Sequence, residues 1–150
     1  MPRPQPPIAR LAPLLPQLAI ALRRDRGDVP EALEAAGQKG ERHVAMLISL
    51  AISGPGSVTE LAERLDLSGA HASLVVGELA KADLVDREHD PGDRRLIIVS
   101  LSDTAKPAVA EMRRKRAGPL HAFLAELDAD EADVFIDHLA RLVEILRDSP

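Results

Sequence analysis

Apolar residues recur at intervals of three and four along most of this chain, the spacing that places them on one face of an α-helix. Six stretches follow this pattern. Their apolar residues are Leu11, Leu15, Leu18 and Leu22; Val44, Leu47, Ile48 and Ala51; Val58, Leu61, Ala62 and Leu65; Ala72, Val75, Val76 and Leu79; Val109, Met112, Leu120, Phe123, Leu124 and Leu127; and Phe135, Leu139, Leu142 and Leu146. The pattern predicts a mainly α-helical protein that begins with a helix from Ile8.

Two short helices in the middle of the chain are separated by a tight turn. Gly54-Pro55-Gly56 ends the helix that precedes them, and Ser57 with Glu60 three residues later has the spacing of a capping box. The segment Asp66-Leu67-Ser68 predicts the turn, and Ser68 can cap the second helix. Two short helices joined in this way form a helix-turn-helix.

A β-hairpin is predicted directly after the helix-turn-helix. Leu84-Val85 begins one strand, and Leu96-Ile97-Ile98-Val99 forms the other. The connection Asp90-Pro91-Gly92-Asp93 has Pro in the second and Gly in the third position, which favours a type II turn. In the helical remainder of the chain, Gly118-Pro119 predicts a kink, and Asp128 is predicted to cap the last helix.

Composition narrows the class of protein. The chain has 150 residues, no cysteine and two aromatic residues, both phenylalanine. This length fits one domain, and the lack of cysteine excludes disulfides, thiolate zinc sites and thiol redox chemistry. We therefore expect a soluble cytoplasmic protein. The apolar run Leu11–Leu22 is too short to cross a bilayer, so we expect no membrane anchor. So few aromatic rings disfavour a stacking platform for single-stranded nucleic acid.

Sequence motifs of catalysis and metal binding are missing. The chain has no nucleophile elbow, phosphate-binding glycine loop or dinucleotide fingerprint. Its histidines form neither an HExxH motif nor an i, i+4 pair. They are His43, His71, His89, His121 and His138. We therefore expect no enzyme, no cofactor and no metal.

The charge distribution argues against strong electrostatic attraction to nucleic acid. The formal net charge is −5. Residues 57–101, which hold the predicted helix-turn-helix and hairpin, contain five basic and nine acidic residues, a net charge of −4. Because the salt dependence of DNA binding scales with the number of phosphates that are neutralised, we expect weak non-specific binding and a modest salt slope.

The order of the elements resembles the multiple-antibiotic-resistance regulator (MarR) family of winged-helix transcription factors. In that family a helix-turn-helix is followed by a β-hairpin wing and flanked by longer helices. The wing carries the most specific resemblance, with an Asp-x-Arg element at Asp93 and Arg95. The matching stretches are Leu84-Val85, Asp90-Pro91-Gly92-Asp93-Arg94-Arg95 and Val99-Ser100-Leu101-Ser102 in the wing, and Thr59-Glu60-Leu61-Ala62, Leu65 and Leu67-Ser68 in the helix-turn-helix.

This resemblance implies a homodimeric repressor that binds a palindromic operator in double-stranded DNA. Residues 40–101 would form the DNA-binding lobe, and residues 8–27 and 102–150 would form the dimerisation helices. The apolar stripes of the first and last helices agree with a dimer, because they are longer than one small core needs. The resemblance also implies a small aromatic or other hydrophobic effector between lobe and dimer helices, where His43 is the candidate contact.

Candidate DNA contacts follow from the helix pattern and from the resemblance. If the stripe of the second short helix is buried, its opposite face presents Ser68, His71, Leu74, Glu78 and Lys81, with Ser73 beside it. Leu74 is then placed to touch a thymine methyl group. The resemblance places Arg95 in the minor groove with Asp93 as its support. Arg87 and Arg94 are either phosphate contacts or solvated charges of the hairpin.

Two features leave an alternative function open. The lobe is acidic, and Leu74 and Glu78 stand where the family usually has stronger basic character. A winged-helix module for protein–protein interaction, with lost or weak DNA binding, would explain both. The basic run Arg113–Arg116 does not change this balance, because four consecutive helical residues point all round the axis and cannot form one stripe.

Overall fold

The computed structural model describes residues 5–24 and 29–149 of the chain. The helices are α1 (Pro7–Leu11), α2 (Leu14–Arg24), α3 (Glu34–Lys39), α4 (Glu41–Ser53), α5 (Val58–Leu65), α6 (Gly69–Lys81), α7 (Ala105–Leu124) and α8 (Ala129–Arg147), and the strands are β1 (Gly56–Ser57), β2 (Val85–His89) and β3 (Ile97–Leu101). These elements confirm the predicted fold class, a mainly helical winged helix-turn-helix with a small antiparallel sheet.

The chain divides into two compact units, one up to Lys115 and the other from Arg116. The hydrophobic core lies in the first unit, where α4, α5, α6, β3 and the first half of α7 contribute to it. Its largest fully buried side chains are Leu33, Met46, Leu47, Leu61, Leu79, Met112, Val75, Val76, Val99 and Val109. Each fully buried side chain of this size stabilises the fold by about 1.5–3 kcal/mol. The core extends beyond residues 40–101 in both directions.

Capping interactions set the boundaries of the helix-turn-helix. The Ser57 hydroxyl accepts a hydrogen bond from the Glu60 amide, and the Glu60 carboxylate accepts one from the Ser57 amide, so the predicted capping box is confirmed. Ser68 caps α6 by accepting from the His71 amide over 3.2 Å. Gly54 ends α4 at a φ of 78°, a left-handed conformation that glycine adopts without steric cost.

The sheet has the order β1-β3-β2, and both pairs are antiparallel. Strand β1 was not predicted, because two residues are too few to show an alternating pattern. A type II turn needs a positive φ at Gly92. Gly92 does not have a positive φ, so the predicted turn type is wrong. Instead, the Asp90 carboxylate accepts from the amides of Gly92 and Asp93 over 2.7 and 2.8 Å.

The N-terminal segment differs from the single helix that its apolar spacing predicted. It forms two helices, α1 and α2, separated at Ala12 and Pro13. Pro13 has no amide hydrogen to continue the helical ladder, whereas Pro16 lies in the first turn of α2, where that donor has no partner anyway. Residues 31–39 form a short 3₁₀ helix and α3, which the sequence analysis missed. Residues 25–27 of the predicted dimerisation helices lie outside the described residues.

The second unit consists of the end of α7 and the whole of α8. Helix α7 continues through Pro119. The predicted Asp128 cap of α8 is confirmed, and Glu131 completes it as a capping box. Phe123 and Phe135 pack edge to face, with ring centroids 5.0 Å apart. Although α8 carries an apolar stripe, none of its residues is buried. Within the described residues, no helix is long and apolar enough to cross a membrane.

Candidate nucleic-acid interface

Helix α6 buries one face and exposes the other, as its sequence pattern predicts. Ala72, Val75, Val76 and Leu79 are all buried. On the opposite face of α6, Leu74 is 58% exposed and lies outside the core. Ser73 and Lys81 are exposed as well. The candidate DNA contacts of α6 therefore share a solvent-facing surface.

Two of these candidates already have partners within the protein. The Ser68 hydroxyl accepts from the His71 amide as the helix cap, which leaves its own hydroxyl hydrogen to donate. The Nη1 atom of Arg42 donates to Nε2 of His71 over 2.9 Å. Because arginine only donates, the His71 ring nitrogen is the acceptor in this contact.

Glu78 lies on the predicted face of α6 with its side chain 28% exposed, but its carboxylate is paired within the protein. Lys39 donates to Oε1 of Glu78 over 3.0 Å, and Nε2 of His43 contacts Oε2 over 2.6 Å. The hydrogen bonds from Lys39 and then from His43 hold the pKa of the Glu78 carboxyl below its ordinary value. The one acidic residue of this face is therefore ionised at neutral pH and matched by cationic or hydrogen-bonding partners.

The wing presents its arginines to solvent. The Asp93 carboxylate accepts from the amide of Arg95 over 3.1 Å and from its guanidinium Nε over 3.2 Å. These two contacts lower the pKa of the Asp93 carboxyl. The Arg95 side chain is nevertheless 91% exposed, so it is free to reach a partner molecule. Arg87 and Arg94 are also exposed, and the carbonyl of Arg94 is 2.8 Å from Nδ1 of His89.

The charge count over residues 57–101 gives an incomplete description of this surface. Arg64 is engaged in structure, since it donates to the carbonyls of Gly54 and Pro55. Conversely, Lys39 and Arg42 lie before residue 57 but reach α6. Neither was predicted, because Lys39 is the last residue of α3 and Arg42 belongs to α4, so no single helical repeat relates them.

A cleft of about 330 Å³ lies between the start of α4 and α6. It is lined by Lys39, Gly40, Glu41, Arg42, His43, His71, Leu74 and Val75. His43 is buried here, and its Nδ1 has no hydrogen-bond partner among the described residues. Among all residues that the structure describes, no group of three or more metal-ligating side chains comes together.

Comparison with known proteins identifies the family. The MarR family model matches residues 41–97. The chain is 30% identical over 107 residues to the HTH-type transcriptional regulator ML2140 of Mycobacterium leprae, covering 71% of this chain and 75% of the relative. It is 28% identical over 104 residues to the HTH-type transcriptional repressor MdtR of Bacillus subtilis (strain 168), covering 68% and 67%.

Solved structures agree with these relatives. The PcaV transcriptional regulator from Streptomyces coelicolor, crystallised with its natural ligand, is 26% identical, with a TM-score of 0.63 and coverage of 94% of this chain and 97% of PcaV. RV1404 from Mycobacterium tuberculosis shares the fold, with a TM-score of 0.67 at 17% identity and coverage of 96% and 97%. The relatives are named as transcriptional regulators, so neither an enzyme nor the alternative of an interaction module is favoured. The chain belongs to the MarR family and is a DNA-binding transcriptional regulator with a winged helix-turn-helix.

Proposed function

We propose that two copies of the chain form a dimer that represses transcription by binding a palindromic operator. In this proposal α6 of each copy enters a major groove, and residues 40–101 act as the DNA-binding lobe. The main observation that supports this proposal is that α6 buries its apolar stripe and exposes Leu74 and Ser73 on the opposite face. A polar face with one apolar side chain can read base edges by hydrogen bonds and a thymine by its methyl group.

The wing supplies the second proposed contact. Arg95 is almost fully exposed at the tip of the hairpin, and Asp93 orients its guanidinium. An arginine in this position suits the narrow minor groove of A·T-rich DNA, where the negative potential is strongest. Arg87, Arg94 and Lys81 are assigned to phosphates, which position the protein without reading sequence.

The proposed dimer uses the apolar surfaces at both ends of the chain. In α2 and α8 most leucines of the predicted stripes are exposed, with Leu18 at 50% and Leu139 at 42%. Continuous exposed apolar surface marks an interaction site. A second copy also provides two equal lobes, and two half-sites about one helical turn apart would compensate for the few cations of each lobe.

We also propose that a small aromatic or other hydrophobic effector releases the dimer from DNA. Such a ligand acts only through a different affinity for two arrangements of the recognition helices. The ligand-bound structure of PcaV supports this proposal by similarity. Among the side chains of this chain, we assign His43 to the effector site, because it is buried beside the cleft between α4 and α6.

Selection of DNA by the full-length chain tests the proposal. The purified protein is mixed with random duplexes, and the retained DNA is sequenced and then titrated by fluorescence anisotropy at two salt concentrations. An enriched palindrome with salt-sensitive binding supports the repressor. Enrichment of no sequence would favour an interaction module instead. For the effector, benzoate-type acids are titrated into the DNA-free protein, and binding to the wild-type chain but not to His43→Phe is expected; release of the wild-type chain from DNA by the same acids is then measured.

A further inference from the structure

Helix α6 carries an unexpected acidic residue on the side that leads to DNA. A carboxylate near the phosphate backbone repels it, and this repulsion weakens binding. Glu78 avoids this state, because each of its oxygens has its own partner. Lys39, the last residue of α3, and His43, in the first turn of α4, lie 39 and 35 residues earlier in the chain.

A second polar contact joins the same two parts of the structure. Arg42 of α4 donates to His71, seven residues before Glu78 on α6. Seven residues span two helical turns, or about 10 Å. Residues i and i+7 lie on the same side of a helix, so α6 is held at two points along one side.

Directional contacts add something that the apolar core of α6 does not provide. Burial of Val75, Val76 and Leu79 is favourable but non-directional, and small rotations of the helix change it little. Hydrogen bonds weaken steeply when their geometry changes. Two polar anchor points two turns apart therefore restrict both the rotation and the tilt of α6.

We propose that Glu78 is a positioning residue, which Lys39 and His43 hold so that the DNA-facing side chains of α6 keep one orientation. This inference rests on the proposed function of α6 as the recognition helix. Base readout depends on that orientation, because bidentate contacts to base edges tolerate little displacement. Contacts to phosphates are less demanding, since an exposed cation follows the backbone by rotation of its long side chain. Loss of the Glu78 contacts therefore reduces sequence discrimination more than it reduces total affinity.

The test compares Glu78→Gln with Glu63→Gln in the full-length chain. Glu63 is an exposed acidic residue of α5, so both substitutions remove one negative charge from the same lobe. Affinity is measured for the duplex selected by the wild-type chain and for a scrambled duplex of equal length, in the same salt. Glu63→Gln is expected to change both affinities by the same factor. Glu78→Gln is expected to lower the ratio of the two by about tenfold, within the range for loss of one base contact.

A second variant keeps the test decisive if Glu78→Gln folds poorly. Lys39→Met removes one of the two partners at an exposed position and should lower the same affinity ratio by a smaller factor. In the double variant, Lys39→Met should add nothing to Glu78→Gln, because coupled residues are non-additive. An unchanged ratio in both single variants, with normal thermal midpoints, overturns the positioning role. A wild-type chain that prefers no duplex overturns the recognition role of α6 and the positioning role with it.

Discussion

Helices α6 and α8 carry the same kind of apolar stripe, but the chain buries the stripe of α6 and leaves that of α8 uncovered. Helix α6 has 13 residues and buries four of them in the core. Helix α8 has 19 residues and buries none. Both begin with a side-chain cap, so their local sequences specify a helix equally well. The difference lies in packing, since the stripe of α6 is covered by its own chain and that of α8 is not.

This difference separates the two tasks that we assign to the chain. A lobe with an internal core can present its outer surface to DNA without depending on another molecule for its fold. A helix with exposed leucines and a phenylalanine gains stability when a second copy covers it, because burial of apolar surface contributes about 25 cal/mol per Å². The following experiments change one region and measure whether the other responds.

Deletion of the residues from Phe135 onward should have the largest effect. It removes the whole apolar stripe of α8, and we expect the truncated chain to be monomeric, aggregated or unfolded. Sedimentation velocity measures the change in assembly. His138→Ala serves as the control, because it replaces an exposed polar residue of the same helix and should leave a dimer. A truncated chain that still sediments as a folded dimer would contradict the proposed interface.

Leu79→Ala and Leu139→Ala place the same substitution in the two stripes. Leu79 is buried, so its truncation leaves a cavity and should lower the free energy of unfolding by about 2–5 kcal/mol. Leu139 is 42% exposed and should act through the dimer dissociation constant instead. Urea unfolding and sedimentation equilibrium are measured on both variants. The distinction fails if Leu79→Ala weakens the dimer as strongly as Leu139→Ala.

The caps and apolar stripes of this chain could be predicted because they depend on neighbouring residues. Ser57, Ser68 and Asp128 each cap a helix from the position that spacing predicts. The partners of Glu78 could not be predicted, since tertiary packing brings the end of α3, with Lys39, and the start of α4, with His43, to α6. The predicted type of the wing turn was wrong for a related reason. The Asp90 side chain competes with the backbone as acceptor, and the Pro-Gly sequence does not show which one prevails.

Arg95→Ala tests the outer surface of the DNA-binding lobe, at the wing. If this guanidinium enters the minor groove, its loss should weaken operator binding by about tenfold and reduce the preference for A·T-rich flanks. Arg114→Ala is the matched control, because Arg114 is an exposed arginine on α7. Anisotropy titrations with A·T-rich and G·C-rich flanks measure both variants. Equal losses at the two positions would mean that binding depends on diffuse positive charge.

Leu74→Ala should give the smallest effect and the sharpest test of the α6 surface. Leu74 lies on the same helix as Leu79 but is 58% exposed, so its truncation forms no core cavity and should leave the thermal midpoint unchanged. Contact with one thymine methyl group is worth about 0.8 kcal/mol, which corresponds to about a fourfold loss of operator affinity. Replacing that thymine by uracil removes the methyl group from the DNA, and the difference between wild type and variant should then disappear. A fourfold difference that persists on the uracil duplex would show that Leu74 acts elsewhere. A large fall in the thermal midpoint would instead place Leu74 in an apolar interface, and the two outer surfaces of α6 and α8 would then have the same role.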